Sequence, residues 1–327
     1  MRVLLFFTIL LLLVSGCTEV QPDQVTVRVV SAGSMLLPLE EIERAYEALH
    51  PGIDIQIEGH GSIQAIRQVT DLNRQFDLVI VADQSLIPDM MYRQREGGIG
   101  NYTNSYVPFA TNHMVIAYTN RSAYAFEITS ENWYQILSRP DVHIGFSNPM
   151  LDACGYRALM VTLLAEGYYG DGTLFERMIG DHLAPQPVIV HTGDSALITL
   201  PEILHPSGDK VSIRSGSIYL LALLDAGGID YAFEYESVAR DHGLRWINLP
   251  PEIDLSDEAL RDQYKKVQVN LGYQRFESVG SLRTGEPIVY AATIPTTAQV
   301  PEDAAIFLDF LLEAIGNRHY GGPQPVV

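Results

Sequence analysis

The chain has 327 residues and a formal net charge of −19, from 40 acidic and 21 basic side chains. This length suffices for two lobes of ordinary domain size. The acidic balance argues against nucleic acid as a partner, and two cysteines are too few for a disulfide framework.

The N-terminus predicts the cellular compartment. A positively charged start precedes an apolar run from Val3 to Val14, which is too short to span a bilayer as a mature helix, and V-S-G-C ends at Cys17. V-S-G-C resembles a lipobox, in which the cysteine becomes the lipid-modified first residue. We therefore predict a signal peptide over residues 1–16, lipidation of Cys17 and a tether over residues 17–24. An uncleaved signal anchor is the alternative, and either anchor places the protein on the extracytoplasmic face of the membrane.

Four segments repeat one arrangement, in which a short strand leads through a loop of small or polar residues into a helix. The loops read S-A-G-S, G-H-G-S, S-N-P-M-L-D and R-S-G-S. The predicted helix starts lie near Ser34, Ser62, Asp152 and Ser217, the last three at N-cap positions. Free N–H groups and the helix dipole make such starts suitable for anions. In an open α/β sheet these loops share one crevice, so we predict that the four starts converge. Ordinary capping is the alternative at each start.

Further strands and helices are predicted along the chain from hydrophobic periodicity. The predicted strands span Val25–Val30, Ile53–Ile57, Asp77–Val81, Met114–Tyr118, His143–Phe146, Val188–Val190, Val211–Arg214, Ile229–Tyr235 and Ile288–Thr293. The helix after Asp152 is predicted to stop at Gly167, and a last helix spans Glu302–Ala314. The alternation implies a parallel sheet with right-handed crossovers in the first hundred residues.

The first α/β run ends near residues 108–114 and a second α/β run follows, so the chain divides into two parts there. We predict an α/β fold with lobe one over residues 25–111, together with part of 288–320, and lobe two over residues 112–287. Two lobes joined by crossing strands form a ligand cleft that closes by hinge motion.

Signals for an enzyme are weak. Cys154 is the one cysteine left when Cys17 carries a lipid, and a nucleophilic thiol needs a base among the nine histidines. Metal-protease, hydrolase and phosphate-loop motifs do not occur in the sequence. We therefore expect Cys154 to be a small buried residue without a catalytic role. An extracytoplasmic enzyme that uses Cys154 or Asp152 is the alternative.

Longer motifs carry a resemblance over nearly the whole mature chain. They are S-A-G-S-M-L-L-P-L at 31–39, H-P-G-I-D-I-Q at 50–56, G-S-I-Q-A-I-R-Q-V-T at 61–70, D-L-V-I-V-A-D-Q-S-L-I-P-D-M-M at 77–91, N-P-M-L-D-A-C-G-Y-R at 148–157, G-G-I-D-Y-A-F-E-Y-E-S-V-A at 227–239 and P-I-V-Y-A-A-T-I-P at 287–295. The chain resembles the archaeal tungstate/molybdate-binding proteins of ABC importers, relatives of periplasmic molybdate-binding proteins. The resemblance implies a type II periplasmic-binding-protein-like fold and a monomer. It also implies delivery of tungstate or molybdate to a permease and its ATPase, with no cofactor beyond this ligand.

The resemblance also implies a set of oxyanion contacts. By position they fall on Ser34, Met35, Ser62, Asp152, Ala153, Cys154, Ser217 and Tyr235. In the family two carboxylates add to the metal of the oxyanion, and Asp152 matches one of them.

The second family carboxylate is where this chain departs, because Ser217 stands in place of a Glu. Glu234 lies nearby in sequence, but on a strand it points away from Tyr235, so we expect a surface or lobe-contact carboxylate, with a ligand role as the alternative. A single carboxylate predicts a five-coordinate or tetrahedral centre and weaker discrimination against sulfate, with Ser217→Glu restoring it. A binding protein for sulfate or phosphate is therefore the alternative function, and Tyr235 as a core aromatic is the alternative for that residue.

Charged and polar residues outside these positions give two further expectations. Arg67 and Arg157 lie inside helices and are expected to pair with acids rather than with the anion. The sequons at Asn101 and Asn120 are expected at the surface.

Overall fold

The computed structural model describes residues 24–95, 97–271, 282–318 and 320–326. The predicted signal peptide and Cys17 lie outside these residues. Within the described ranges, each helix is too short or too polar to cross a membrane.

The chain alternates strands and helices. The strands are β1 (Val25–Ala32), β2 (Ile53–His60), β3 (Leu78–Val81), β4 (Val107–Asn112), β5 (Met114–Tyr118), β6 (Ile144–Ser147), β7 (Leu183–Ala184), β8 (Val188–Thr192), β9 (Ser195–Thr199), β10 (His205–Pro206), β11 (Val211–Arg214), β12 (Tyr231–Tyr235), β13 (Arg245–Asn248), β14 (Val267–Asn270), β15 (Leu282–Thr284), β16 (Ile288–Thr293) and β17 (Gln324–Pro325). The helices are α1 (Leu36–Leu49), α2 (Ser62–Thr70), α3 (Leu86–Met91), α4 (Trp133–Leu137), α5 (Ala153–Tyr169), α6 (Leu174–Met178), α7 (Leu220–Ala226), α8 (Glu236–Asp241), α9 (Pro251–Asp254), α10 (Arg261–Tyr264) and α11 (Pro301–Gly316). Short 3-10 turns cover Gly33–Met35, Gly180–His182, Ser217–Tyr219 and Glu258–Leu260.

A six-stranded sheet in the order β17-β4-β16-β3-β1-β2 forms the centre of what we call lobe one. β1 runs parallel to β2 and β3, with Val27 opposite Ile55 and Val29 opposite Leu78, so the predicted parallel arrangement is confirmed. The late strand β16 returns to this sheet and pairs antiparallel with β3 and β4.

A five-stranded sheet in the order β11-β6-β12-β5-β13 forms the centre of what we call lobe two. β6 is parallel to β11 and β12, whereas β5 is antiparallel to β12 and β13. Helix α5 packs in this lobe and is buried from Ala153 through Glu166. It extends past Gly167, the predicted stop, to Tyr169, and Gly170 with a φ of 68° is the left-handed C-cap.

A separate four-stranded sheet, β15-β14-β9-β8, was not predicted. The expectation that Val188–Val190 continues the α/β run is wrong, because β8 pairs antiparallel with β9 in this sheet. Gly193, with a φ of 63°, turns the chain between the two strands and makes the local hairpin possible.

The molecule is two-lobed, and the predicted fold class is confirmed. One continuous apolar cluster includes core residues of both lobes, such as Val29 and Leu78 in lobe one and Phe146 and Leu159 in lobe two. The lobes are therefore packed against each other. The predicted residue limits of the lobes stay a prediction.

The asparagines of the two sequons reach the surface, whereas Thr103 and Ser122 of the same sequons are buried. Asn120 is exposed, as predicted. Asn101 is partly exposed, and its side-chain amide donates a hydrogen bond to Asn104 at 3.1 Å.

Candidate functional site

Asp152 lies between β6 and α5, at the N-cap position of α5, and is only 5% exposed. Its Oδ2 accepts a hydrogen bond from the backbone N–H of Ser217 at 3.0 Å, and its Oδ1 accepts one from the N–H of Ser62 at 3.4 Å. Ser62 belongs to lobe one and Ser217 to lobe two. One buried carboxylate thus joins helix starts from both lobes.

Ser62 is the first residue of α2, and Gly61 occupies the N-cap position. The predicted capping role of Ser62 is therefore wrong, and its hydroxyl instead accepts a hydrogen bond from the N–H of Ala82 at 3.0 Å. A Cβ at Gly61 would lie 2.4 Å from the carbonyl oxygen of Leu151. Gln64 donates its N–H to that same oxygen at 3.0 Å. Glycine takes the cap position because the two lobes meet there without room for a side chain.

Ser217 opens the 3-10 turn that leads into α7, and Gly216 is at the N-cap. The predicted capping role of Ser217 is also wrong. Its hydroxyl donates to Oε1 of Glu234 at 2.9 Å, and Ser217 is 4% exposed. The hydroxyl thus donates to a buried carboxylate, whereas the side-chain oxygen of an N-cap serine would accept a hydrogen bond from a backbone N–H.

Ser34 and Met35 lie in the 3-10 turn between β1 and α1, and both are buried. The Ser34 hydroxyl accepts a hydrogen bond from the phenol of Tyr290 at 2.9 Å. A Cβ at Gly33 would lie 3.0 Å from Cγ2 of Ile218. The turn that carries Ser34 therefore packs against the turn that starts at Ser217, and the structure brings all four predicted helix starts to one junction between the lobes.

Tyr235 ends β12, and a guanidinium from α5 holds its hydroxyl in place. Nη1 of Arg157 donates to the Tyr235 hydroxyl at 2.8 Å, and Nη2 lies 3.4 Å from Oδ2 of Asp83. Arg157 thus pairs with an acid, as expected, and Arg67 does so with Asp71 at 3.5 Å. Burial raises the pKa of Tyr235 well above its usual value, so the phenol is neutral and keeps an O–H to donate.

Ala153 and Cys154 are the first residues of α5, and both are fully buried. The Cys154 sulfur lies 3.6 Å from the carbonyl oxygen of Phe233 and 3.9 Å from Oε1 of Glu234. Burial, followed by the charges of Glu234 and Asp152, raises the pKa of the thiol well above its usual value. Nucleophilic cysteines need the opposite shift, so these surroundings favour the small buried cysteine over the catalytic one.

We expected Glu234 to be a surface or lobe-contact carboxylate, but it is buried and its hydrogen-bond partners Ser217 and Tyr235 both belong to lobe two. It is 0% exposed, and its Oε1 accepts hydrogen bonds from the Ser217 hydroxyl at 2.9 Å and from the N–H of Tyr235 at 2.8 Å. Every residue of β12 is buried, so both faces of this strand are covered and alternation does not expose Glu234 to solvent. Burial raises the pKa of Glu234 to about 8.

Four further residues of the junction were not identified from the sequence. Tyr290 on β16 binds Ser34, and Asn112 at the end of β4 donates to the Tyr290 hydroxyl at 3.2 Å. The Tyr156 hydroxyl donates to Asp83, which follows β3. Asp83 lies just beyond the end of β3 and Asn112 is the last residue of β4, a position that could have indicated them, but the pairings join residues far apart in sequence.

Comparison with known proteins identifies the family to which this fold and site belong. The family described as bacterial extracellular solute-binding protein matches residues 27–318. The chain belongs to this family. The molybdate/tungstate-binding protein WtpA of Pyrococcus abyssi is 38% identical to it over 94% of this chain and 87% of that protein. WtpA of Thermococcus kodakarensis is also 38% identical, over 96% of this chain and 88% of that protein. The resemblance to archaeal tungstate/molybdate-binding proteins is thereby confirmed.

Solved structures of other solute-binding proteins show the same fold. The Azotobacter vinelandii periplasmic molybdate-binding protein superposes with a TM-score of 0.52 at 15% identity, covering 91% of this chain and 100% of that one. The sulfate-binding protein SubI from Mycobacterium tuberculosis gives a TM-score of 0.54 at 13% identity, covering 93% and 88%. Since one relative is named for molybdate and the other for sulfate, the fold leaves the anion undecided.

Proposed function

We propose that this protein is the substrate-binding component of an ABC importer, which captures tungstate or molybdate outside the cell and delivers it to a membrane permease and its ATPase. The observation that carries this proposal is the Asp152 carboxylate, buried between the lobes and bonded by helix-start amides from each. The names of the archaeal relatives support the same ligand class. The same proposal makes the protein a binding protein and not an enzyme, with no cofactor.

The proposed oxyanion contacts are the residues gathered at this junction. They are Ser34, Met35, Ser62, Asp152, Ala153, Cys154, Ser217 and Tyr235. Amide and hydroxyl donors bind the oxygens of the anion, and Asp152 bonds the metal. Tungsten and molybdenum accept a carboxylate lone pair in addition to their oxygens, whereas the sulfur of sulfate stays four-coordinate. A buried carboxylate therefore favours the metal oxyanions and repels sulfate.

The proposed location is the outer face of the membrane, with a lipid on Cys17 as the anchor and a monomeric chain. The family described as extracellular and the N-terminal sequence support this placement. Intact-mass measurement of the protein extracted from membranes, and its sedimentation after delipidation, test the anchor and the monomer.

Titration calorimetry of the purified protein with tungstate, molybdate and sulfate tests the function. We expect binding of tungstate and molybdate, and Asp152→Ala should weaken tungstate by about a hundredfold, because a bond to the metal is lost. Loss of a helix cap alone would cost about 1 kcal/mol of stability and affect every anion alike. Equal losses for tungstate and sulfate in Asp152→Ala would therefore contradict the role of Asp152. Absence of tungstate and molybdate binding by the unaltered protein would contradict the function.

A further inference from the structure

One oxygen of the Glu234 carboxyl group has no hydrogen-bond partner. Oε1 is bonded by Ser217 and by the N–H of Tyr235, whereas Oε2 is buried and has no partner among the residues that the structure describes. A buried carboxyl oxygen without a partner is costly, since it has lost its water and gained no bond. Such an oxygen within a ligand site indicates that a ligand completes its bonding.

The neighbours of this carboxyl group are residues of the oxyanion site. The Ser217 hydroxyl lies 2.9 Å from Oε1 and the Cys154 sulfur 3.9 Å from it. After burial, which is the largest effect, the charge of Asp152 is among the causes that raise the pKa of Glu234. The Glu234 carboxyl group and the Asp152 carboxylate therefore lie on either side of Ser217, whose N–H binds Asp152 and whose hydroxyl binds Glu234.

The position of Ser217 explains why Glu234 is available. The Ser217 hydroxyl already lies within hydrogen-bond distance of the Glu234 carboxyl group. The longer side chain of a glutamate at position 217 would therefore extend into the space that this carboxyl group occupies. Two carboxylates there would repel each other in a buried site. A small serine leaves the space to Glu234 and orients it with a hydrogen bond.

We propose that Glu234 supplies the second carboxylate to the bound metal oxyanion, with its Oε2 bonded to the tungsten or molybdenum in addition to Asp152. This inference rests on the proposed function and replaces the expectation of a single carboxylate. An oxygen lone pair of Glu234 forms the new bond, no metal–oxo bond breaks, and the proton that the buried carboxyl group holds leaves to solvent. The metal then has an octahedral set of oxygens, four of its own and two from the protein.

X-ray absorption of the tungstate complex and calorimetry of four proteins test this assignment. The four are the unaltered chain, Glu234→Gln, Ser217→Glu combined with Glu234→Ala, which empties the space at position 234, and the control Glu166→Gln, which changes a buried glutamate near the far end of α5. We expect octahedral tungsten in the unaltered chain. Glu234→Gln should lose one long tungsten–oxygen contact and about a hundredfold in tungstate affinity. The double variant should regain both, and the control should match the unaltered chain.

The outcomes separate this inference from the function on which it rests. Tetrahedral or five-coordinate tungsten in the unaltered chain would overturn the role of Glu234 while leaving tungstate binding intact, and this measurement needs no variant to fold. A tungstate affinity of Glu234→Gln equal to that of the unaltered chain would overturn it as well. Ser217→Glu alone provides a further check: it should weaken tungstate binding if Glu234 is the ligand, and strengthen it if the site holds only Asp152.

Discussion

Glu166 is a carboxyl group buried within lobe two, away from the oxyanion site. It is 5% exposed, and its Oε1 accepts the N–H of Phe175 at 2.9 Å, which ties α5 to α6. Burial, with smaller contributions from the charges of Glu176 and Asp171, raises the pKa of Glu166 from 4.5 to about 7. The folded protein therefore holds a proton on this group at pH values where the unfolded chain has released it.

This residue predicts a pH dependence of stability. Because the folded state binds more protons between pH 4.5 and about 7, the contribution of Glu166 to the free energy of unfolding is complete below this range and falls as the pH rises through it. Glu166→Gln keeps an oxygen acceptor for Phe175 and removes the titration. Urea unfolding at about pH 5 and about pH 7.5 should show a smaller pH effect in the variant than in the unaltered chain. An identical pH effect in both proteins would contradict the prediction.

At the scale of elements, the start of α2 determines how closely the lobes approach. Gly61 has a φ of −64° and a ψ of 149°, values that any residue adopts, so its backbone does not require glycine. The requirement comes from lobe two, because a Cβ there would lie 2.4 Å from the Leu151 carbonyl oxygen and 2.7 Å from Cβ of Asp152.

Gly61→Ala should therefore leave each lobe folded and prevent the lobes from closing over the ligand. We expect a melting temperature near that of the unaltered chain and a tungstate affinity lower by about tenfold or more, since the lobes can then no longer close fully around the ligand. Small-angle scattering should show a smaller ligand-induced compaction than in the unaltered chain. Gly52→Ala is the matched control, because a Cβ at Gly52 has no neighbour within 4 Å. Unchanged affinity in Gly61→Ala would show that the lobes approach differently in the complex.

At the scale of the whole molecule, a second set of polar contacts joins the lobes beside the site. Asp83 of lobe one accepts a hydrogen bond from the Tyr156 hydroxyl and forms an ion pair with the Arg157 guanidinium, and both partners belong to α5. Burial acts to raise the pKa of Asp83, but Arg157 and Tyr156 together hold it below its usual value. Nearby, Arg283 on β15 of the four-stranded sheet donates to Asp89 on α3 of lobe one. These contacts form only when the lobes are together, so they stabilise the closed arrangement.

Tyr156→Phe removes one of these contacts without leaving a buried charge unpaired. Losing a hydrogen bond to a carboxylate should cost about 1.5–3 kcal/mol of the closed arrangement, which corresponds to roughly a tenfold to hundredfold weaker tungstate binding. The control is Tyr264→Phe, whose buried hydroxyl bonds the carbonyl of Pro251 within lobe two. We expect the control to lower the melting temperature and leave the affinity unchanged. The reverse pattern would show that Tyr156 serves the stability of one lobe rather than closure.

The sequence was sufficient for elements whose signal is local. β5, β11 and β16 have the predicted bounds, because a continuous or alternating apolar run is enough to specify a buried strand. The four helix starts were also predicted from their loops. The hairpin sheet that contains β8 was missed, since Val188 and Val190 read equally well as a strand of an α/β run, and only pairing with β9 distinguishes the two.

Tertiary structure alone decided what each site residue does. Ser62 and Ser217 have side chains suited to N-caps, but Gly61 and Gly216 occupy the N-cap positions. The lobes meet at Gly61, and the hydroxyl of Ser217 is bonded to Glu234. Glu234 read as a solvent-facing residue of an alternating strand, yet it is fully buried beside Ser217. Strand alternation specifies the face from which a side chain leaves, whereas the position of a long carboxyl side chain depends on donors that the rest of the fold brings to it. Local patterns therefore determined where the loops lie, and packing between sequence-distant segments determined which of their atoms face the ligand.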